Sequence, residues 1–118
     1  MIKIEINTSR YKATVTGHAN AEESEQWREI CAGVSALVQS MMYTVQEVVP
    51  EGGFKSIEYR PDPGNLFLRF YPEPWAEKET IGIMRIYSHG LELLTRSHPQ
   101  SVEMIWDGRS IKGGQEHE

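Results

Sequence analysis

The chain has 118 residues, enough for one compact domain and too few for two. Hydrophobic residues make up 39% and charged residues 25%, ordinary proportions for a soluble globular protein. The net charge of −5 argues against a surface built for nucleic-acid phosphates, and no apolar run approaches the roughly 20 residues that span a bilayer.

Residues 2–6 alternate, with Ile2, Ile4 and Ile6 set against Lys3 and Glu5, which is the pattern of a half-buried strand. Asn7-Thr8-Ser9-Arg10 is a polar turn. Tyr11, Ala13 and Val15 then alternate with Lys12, Thr14 and Thr16, and the two runs predict an antiparallel hairpin. A polar, acidic loop over residues 20–26 follows, with Asn20 and Ser24 as candidate helix N-caps. It is expected to be mobile before substrate binds and to frame the stretch beyond it.

A helix is predicted near residues 26–49, with Ile30, Cys31, Val34, Leu37, Val38, Met41, Val45 and Val48 in its apolar stripe. Pro50 and Gly52-Gly53 end it. Residues 54–60 and 66–71 read as strands joined by the turn Pro61-Asp62-Pro63-Gly64. A second helix is predicted near 77–97, with Ile83, Ile86, Tyr87, Leu91 and Leu94 in its stripe, stopped by His98-Pro99. Residues 102–106 read as a last, edge-like strand and 108–118 as a frayed, flexible tail. The whole is an α+β domain: a mostly antiparallel sheet with two helices in the order β-β-α-β-β-α, and one domain over 1–118.

Cys31 is the only cysteine, so no internal disulfide is possible. The amino-terminal residues lack the apolar stretch of a signal peptide, and the expected location is the cytoplasm. Cys31 can be read in two ways. Cysteines are often buried, and Cys31 lies on the apolar stripe with Val34 and Val38, so periodicity alone favours a core residue. The other reading is a thiol nucleophile. Its ordinary pKa of about 8.5 leaves it mostly protonated near neutral pH, so it needs help to ionise. A place early in the helix, near unpaired N–H groups, would help and would also offer an oxyanion site. His18 could take the proton. Strict alternation puts His18 on the strand face opposite Val15, so Gly17 has to re-aim it by a twist or bulge. Ser35 lies one turn after Cys31 on the same helix face, where it either polarises the site or bonds back to the Cys31 carbonyl.

Gly17-His18-Ala19 followed by Ile30-Cys31-Ala32-Gly33-Val34-Ser35 resembles the paired motif of the ribosomal-processing cysteine protease family, Prp. The continuation Ala36-Leu37-Val38-Gln39 is similar to phage and prophage copies. Gly90-Leu91-Glu92-Leu93-Leu94 with His98-Pro99 and Val102 is similar to family members as well. The resemblance implies a cysteine endopeptidase with a His18–Cys31 dyad, Gly17 and Ser35 in support, and a thioester intermediate. It needs no metal or organic cofactor. It implies a protein substrate: the N-terminal extension of a large-subunit ribosomal protein, or a phage capsid or scaffold protein. It also implies a homodimer, with neither nucleic acid nor membrane as partner. Two departures stand beside the motif: the loop between His18 and Cys31 is slightly longer than the family's, and the acidic position has changed. Arg28 occupies the place of the family's acidic residue three positions before the cysteine, with Glu29 following, and this bears on efficiency and specificity more than on fold. The competing classes are a non-catalytic interaction module that keeps the fold and a thiol hydrolase of another substrate class.

Other candidates carry less. His89 and His98 read as exposed or capping residues of the second helix. The four histidines lack the spacing of a zinc site. Trp27, Trp75 and Trp106 are better suited to core or rim packing than to a peptide groove.

Overall fold

The computed structural model describes residues 1–17, 25–62 and 64–111. The alternating segments form six strands: β1 (Ile2–Asn7), β2 (Lys12–Thr16), β3 (Phe54–Asp62), β4 (Asn65–Pro72), β5 (Val102–Trp106) and β6 (Arg109–Ile111). The periodic segments form α1 (Glu25–Val48) and α2 (Glu77–Ser97). The strands make one sheet in the order β3-β4-β2-β1-β5-β6. Every neighbouring pair is antiparallel except β1 and β5, which run parallel. No helix among the described residues is long and apolar enough to cross a membrane.

The period-2 patterns give the sheet one apolar face. Ile2, Ile4 and Ile6 are buried, as are Leu66, Leu68 and Phe70 on β4 and Val102, Met104 and Trp106 on β5. Lys3, Glu5 and Glu103 alternate with them and are exposed. The buried stripes of both helices complete this core, with Ile30, Val34, Val38, Met41 and Val45 from α1 and Ile83, Met84 and Leu91 from α2. The helices also meet each other closely. A Cβ on Gly33 would lie 3.1 Å from Leu94 Cδ1, and one on Gly90 would lie 3.2 Å from Leu37 Cδ2. Each glycine thus makes room for the other helix's leucine.

Three expectations need correction. The strand at 102–106 is interior, because β6 pairs beyond it through Met104↔Ile111 and Ile105↔Ser110. Residues 109–111 are therefore strand, and only residues 112–118 of the expected tail lie outside the described structure. The missed signal is Asp107-Gly108, whose positive φ values of 49° and 81° suit a tight hairpin turn. Asp107 is held there by two hydrogen bonds from Thr8, one from the backbone N–H and one from the hydroxyl, each 2.7 Å. Next, β3 runs on through Pro61 to Asp62, which the sequence reading placed in the turn. Proline is tolerated because β3 is an edge strand, where a missing N–H breaks no ladder on the free side.

The last correction concerns the helix stripes. Val48 and Ile86 are exposed, while Thr80, Ser88 and Thr95 are fully buried on α2. Thr80 and Thr95 resolve their polarity by donating to the carbonyls of Ala76 and Leu91, at 2.9 and 2.8 Å. These threonines act as packing residues, so apolar periodicity does not register them.

Two outcomes follow for stability. Ile4 is fully buried between Val15 and Met104 in the ladder, and Ile4→Ala should cost about 3 kcal/mol in urea denaturation. Tyr11 closes the turn after β1 with a left-handed φ of 57°. Burial raises its phenol pKa above the ordinary 10.0, and the nearby Glu77 carboxylate adds to the rise. The folded state therefore holds this proton more tightly than the unfolded chain. That contribution is complete below about pH 10 and is lost as pH climbs through the raised value. Tyr11→Phe should remove this part of the alkaline loss of stability, measured as urea midpoints from about pH 8 to about pH 11.

Candidate active site

Cys31 does not vanish into the core. Its α1 neighbours Ile30 and Val34 are buried, but Cys31 itself is only half-buried, packed against the core on one side. Its other side lines a cleft of about 280 Å³ between α1 and one end of the sheet. The α1 wall carries Cys31, Val34, Ser35 and Gln39. The opposite wall carries Ile2, Val15, Gly17 and Leu66, and the tip of the β3–β4 hairpin closes the rim with Pro61, Asp62, Gly64 and Asn65. Positions 31, 35 and 39 fall on one helix face because four residues are slightly more than one turn.

Gly17 shapes the cleft's strand side. It follows β2 directly and adopts φ +133°, which side chains rarely tolerate. A Cβ there would also collide with the Met1 carbonyl oxygen. Its N–H donates to the Gly64 carbonyl at 3.1 Å, which ties the end of β2 to the hairpin tip. The strand alternation thus ends at Gly17, the position expected to redirect the chain. His18 lies outside the described residues, as do the expected caps Asn20 and Ser24 and residues 20–24 of the expected loop, while its last two residues, 25 and 26, are already helix.

The helix-start expectation for Cys31 is not met. α1 begins at Glu25, so Cys31 is its seventh residue. The first four N–H groups of a helix lack internal partners, and Cys31 lies beyond them. Its own N–H belongs to the helix ladder and offers no oxyanion site, and the dipole effect has faded by this depth. Among the described residues, polar side chains along the cleft are the groups that can act on charge at Cys31. Ser35 is one such group. Of the two roles open to Ser35, the back-bond to the Cys31 carbonyl does not form, and no side-chain hydrogen bond engages Ser35 among the described residues, although Thr80, Thr95 and Ser97 make such bonds on α2.

Gln39, Asp62 and Asn65 line the cleft but were not singled out from sequence. Gln39 was legible, since it continues the spacing of Cys31 and Ser35. Asp62 and Asn65 were not, because only the folded hairpin brings them to α1. Arg28 and Glu29 are both exposed and neither lines the cleft. Of the tryptophans, Trp106 is buried, Trp27 packs against the core and Trp75 is exposed, and none lines the cleft. His89 is exposed and sits 3.5 Å from Glu92, while His98 caps α2. No group of three or more metal-ligating side chains occurs among the described residues.

A half-exposed thiol on a helix, lining a cleft at the end of a sheet, is compatible with a cysteine hydrolase. The chain belongs to the cysteine protease Prp family, whose family model matches residues 1–103. It is similar in fold to the essential ribosomal processing protease Prp from S. aureus solved in complex with a substrate peptide, with a TM-score of 0.66 and 16% identity over 89% of this chain and 96% of that one. The same S. aureus protease with a covalently linked product peptide gives a TM-score of 0.61 at 16% identity, over 89% and 96% of the two chains. SMU.848 from Streptococcus mutans gives 0.65 at 15% identity, over 89% and 90%. No curated protein matches the chain.

Because Gly17 combines a positive φ with a steric limit, Gly17→Ala should destabilise the fold by about 2 kcal/mol. The loss should appear as a lowered thermal midpoint and faster hydrogen exchange at β2 and the hairpin tip.

Proposed function

We propose that this protein is a processing endopeptidase in which Cys31 is the nucleophile and His18 its base. The observation that carries this is the position of Cys31: it leaves the apolar stripe's sealed interior for the wall of a cleft whose other side includes Gly17, the residue before His18. His18 removes the thiol proton, and the thiolate attacks the scissile carbonyl carbon. The C–N bond breaks, the leaving amine takes the proton from His18, and the acyl group stays on Sγ as a thioester. Water, deprotonated by His18, then hydrolyses the thioester to a carboxylate and restores the thiol. With the Cys31 N–H committed to the helix, Ser35 is, among the described residues, the donor whose spacing suits the developing oxyanion.

The substrate class follows from the family and its neighbours. A ribosomal processing protease that takes a peptide supports a protein substrate, either the N-terminal extension of a large-subunit ribosomal protein or, for a phage-type copy, a capsid or scaffold protein. The reading includes a homodimer.

The test is reactivity as well as cleavage. Wild-type Cys31 should react with iodoacetamide near neutral pH faster than a free thiol, and His18→Ala should slow it by about 10-fold. The same variant should lower cleavage of a candidate target on the order of 100-fold. Cys31→Ala and Cys31→Ser should abolish cleavage, with circular dichroism unchanged. Identical pH profiles for wild type and His18→Ala, with the thiol pKa at or above that of a free thiol, would remove the dyad.

A further inference from the structure

The cleft holds a track along α1 and one carboxylate. Cys31, Ser35 and Gln39 mark the track, and the eight-residue step from Cys31 to Gln39 corresponds to about 12 Å of helix. An extended peptide advances about 3.3 Å per residue, so the track holds about three to four residues to one side of the bond being cut. Gln39 marks its far end and is held in place, since its Nε2 donates to the Tyr59 hydroxyl oxygen at 3.0 Å. Tyr59 stands on β3 two residues before Pro61, so this bond fastens the helix wall to the strand that carries Asp62.

Asp62 is the only carboxylate among the described lining residues, and no lysine or arginine is among them. It makes no ion pair with another described residue. Arg60, the nearest cation on its own strand, is already engaged: it pairs with Glu58 and lies over the Phe67 ring, 4.3 Å from the ring centre. The rest of the cleft is largely apolar, with Ile2, Val15, Val34 and Leu66. Asp62 is exposed at the rim, where solvent screens part of its charge, and a cation passing the rim into the cleft is drawn to it while an anion is repelled.

We infer that Asp62 is a specificity-determining residue, which selects a lysine or arginine side chain of the substrate within about four residues of the scissile bond. The inference rests on the reading of Cys31 as the nucleophile. It adds a charge rule that the catalytic pair does not contain. The carboxylate accepts from the substrate's ammonium or guanidinium group.

The experiment is cleavage profiling with a randomised mixture of synthetic peptides, read by mass spectrometry, for wild type, Asp62→Asn, Asp62→Lys and Cys31→Ala. Wild type should enrich lysine and arginine at one position within about four residues of the cut. Asp62→Asn should erase that preference and lower kcat/KM for a matched lysine peptide by about five-fold, mainly through KM. Asp62→Lys should invert the preference to aspartate and glutamate at the same position. Both variants should keep the wild-type circular dichroism and thermal midpoint, which a general disturbance of the fold would change. Cleavage with no basic preference, or a preference that survives Asp62→Lys, overturns this inference and leaves the protease reading standing. No Cys31-dependent cleavage of any peptide overturns both.

Discussion

The parallel ladder between β1 and β5 is the constraint on which the rest of this fold depends. It is the one parallel pairing in the sheet, and it joins the first strand to one that follows almost the whole chain. A parallel neighbour cannot be reached by a tight turn, so the chain must cross over the sheet, and α2 forms the last leg of that crossover. Once β1 is paired on that side, β2 occupies its other edge, and the β3–β4 hairpin can add only beyond β2. The ladder continues at both ends, with the Ile2 N–H donating to Ser101 and the Asp107 N–H donating to Ile6. The two bonds from Thr8 to Asp107 then fix the turn into β6.

That strand order also creates the cleft. Placing β4 beside β2 brings the tip of the β3–β4 hairpin alongside Gly17, where the two are tied by a backbone hydrogen bond. Placing both helices on one sheet face sets α1 above this junction. The apolar face of α1 then has more width than the sheet beneath it seals, and Cys31 falls on the unsealed flank. The thiol is thus held by packing on one side and accessible on the other, a compromise that neither a core cysteine nor a surface cysteine offers. Its depth in the helix takes it away from the unpaired N–H groups of the first turn. Ser35 and Gln39, one and two turns after Cys31, are the polar groups that α1 itself presents to the cleft.

Much of the local structure was legible because it rests on short-range chemistry. Ile2, Ile4 and Ile6 read as a strand face and form one. Pro50 and the glycines after it end α1, and His98-Pro99 ends α2. Asp107-Gly108 carries a turn signal as strong as any of these, and β6 follows from it. The errors within elements share another cause. Thr80 and Thr95 are polar by composition and apolar in use, because each hydroxyl is satisfied one turn back. Ile86 is apolar by composition yet stands outside the buried face.

The sequence by itself determined the helices, most strand limits, the single thiol and the Gly17–Cys31 motif with its family resemblance, since these depend on residue type, spacing and caps. Tertiary structure alone decided the parallel β1–β5 pairing, the interior place of β5, and the arrival of Asp62 and Asn65 beside α1. It also decided the depth of Cys31 in its helix and the side of it left open. These depend on which distant segments share a boundary, and no periodicity within one segment encodes its neighbour across the sheet.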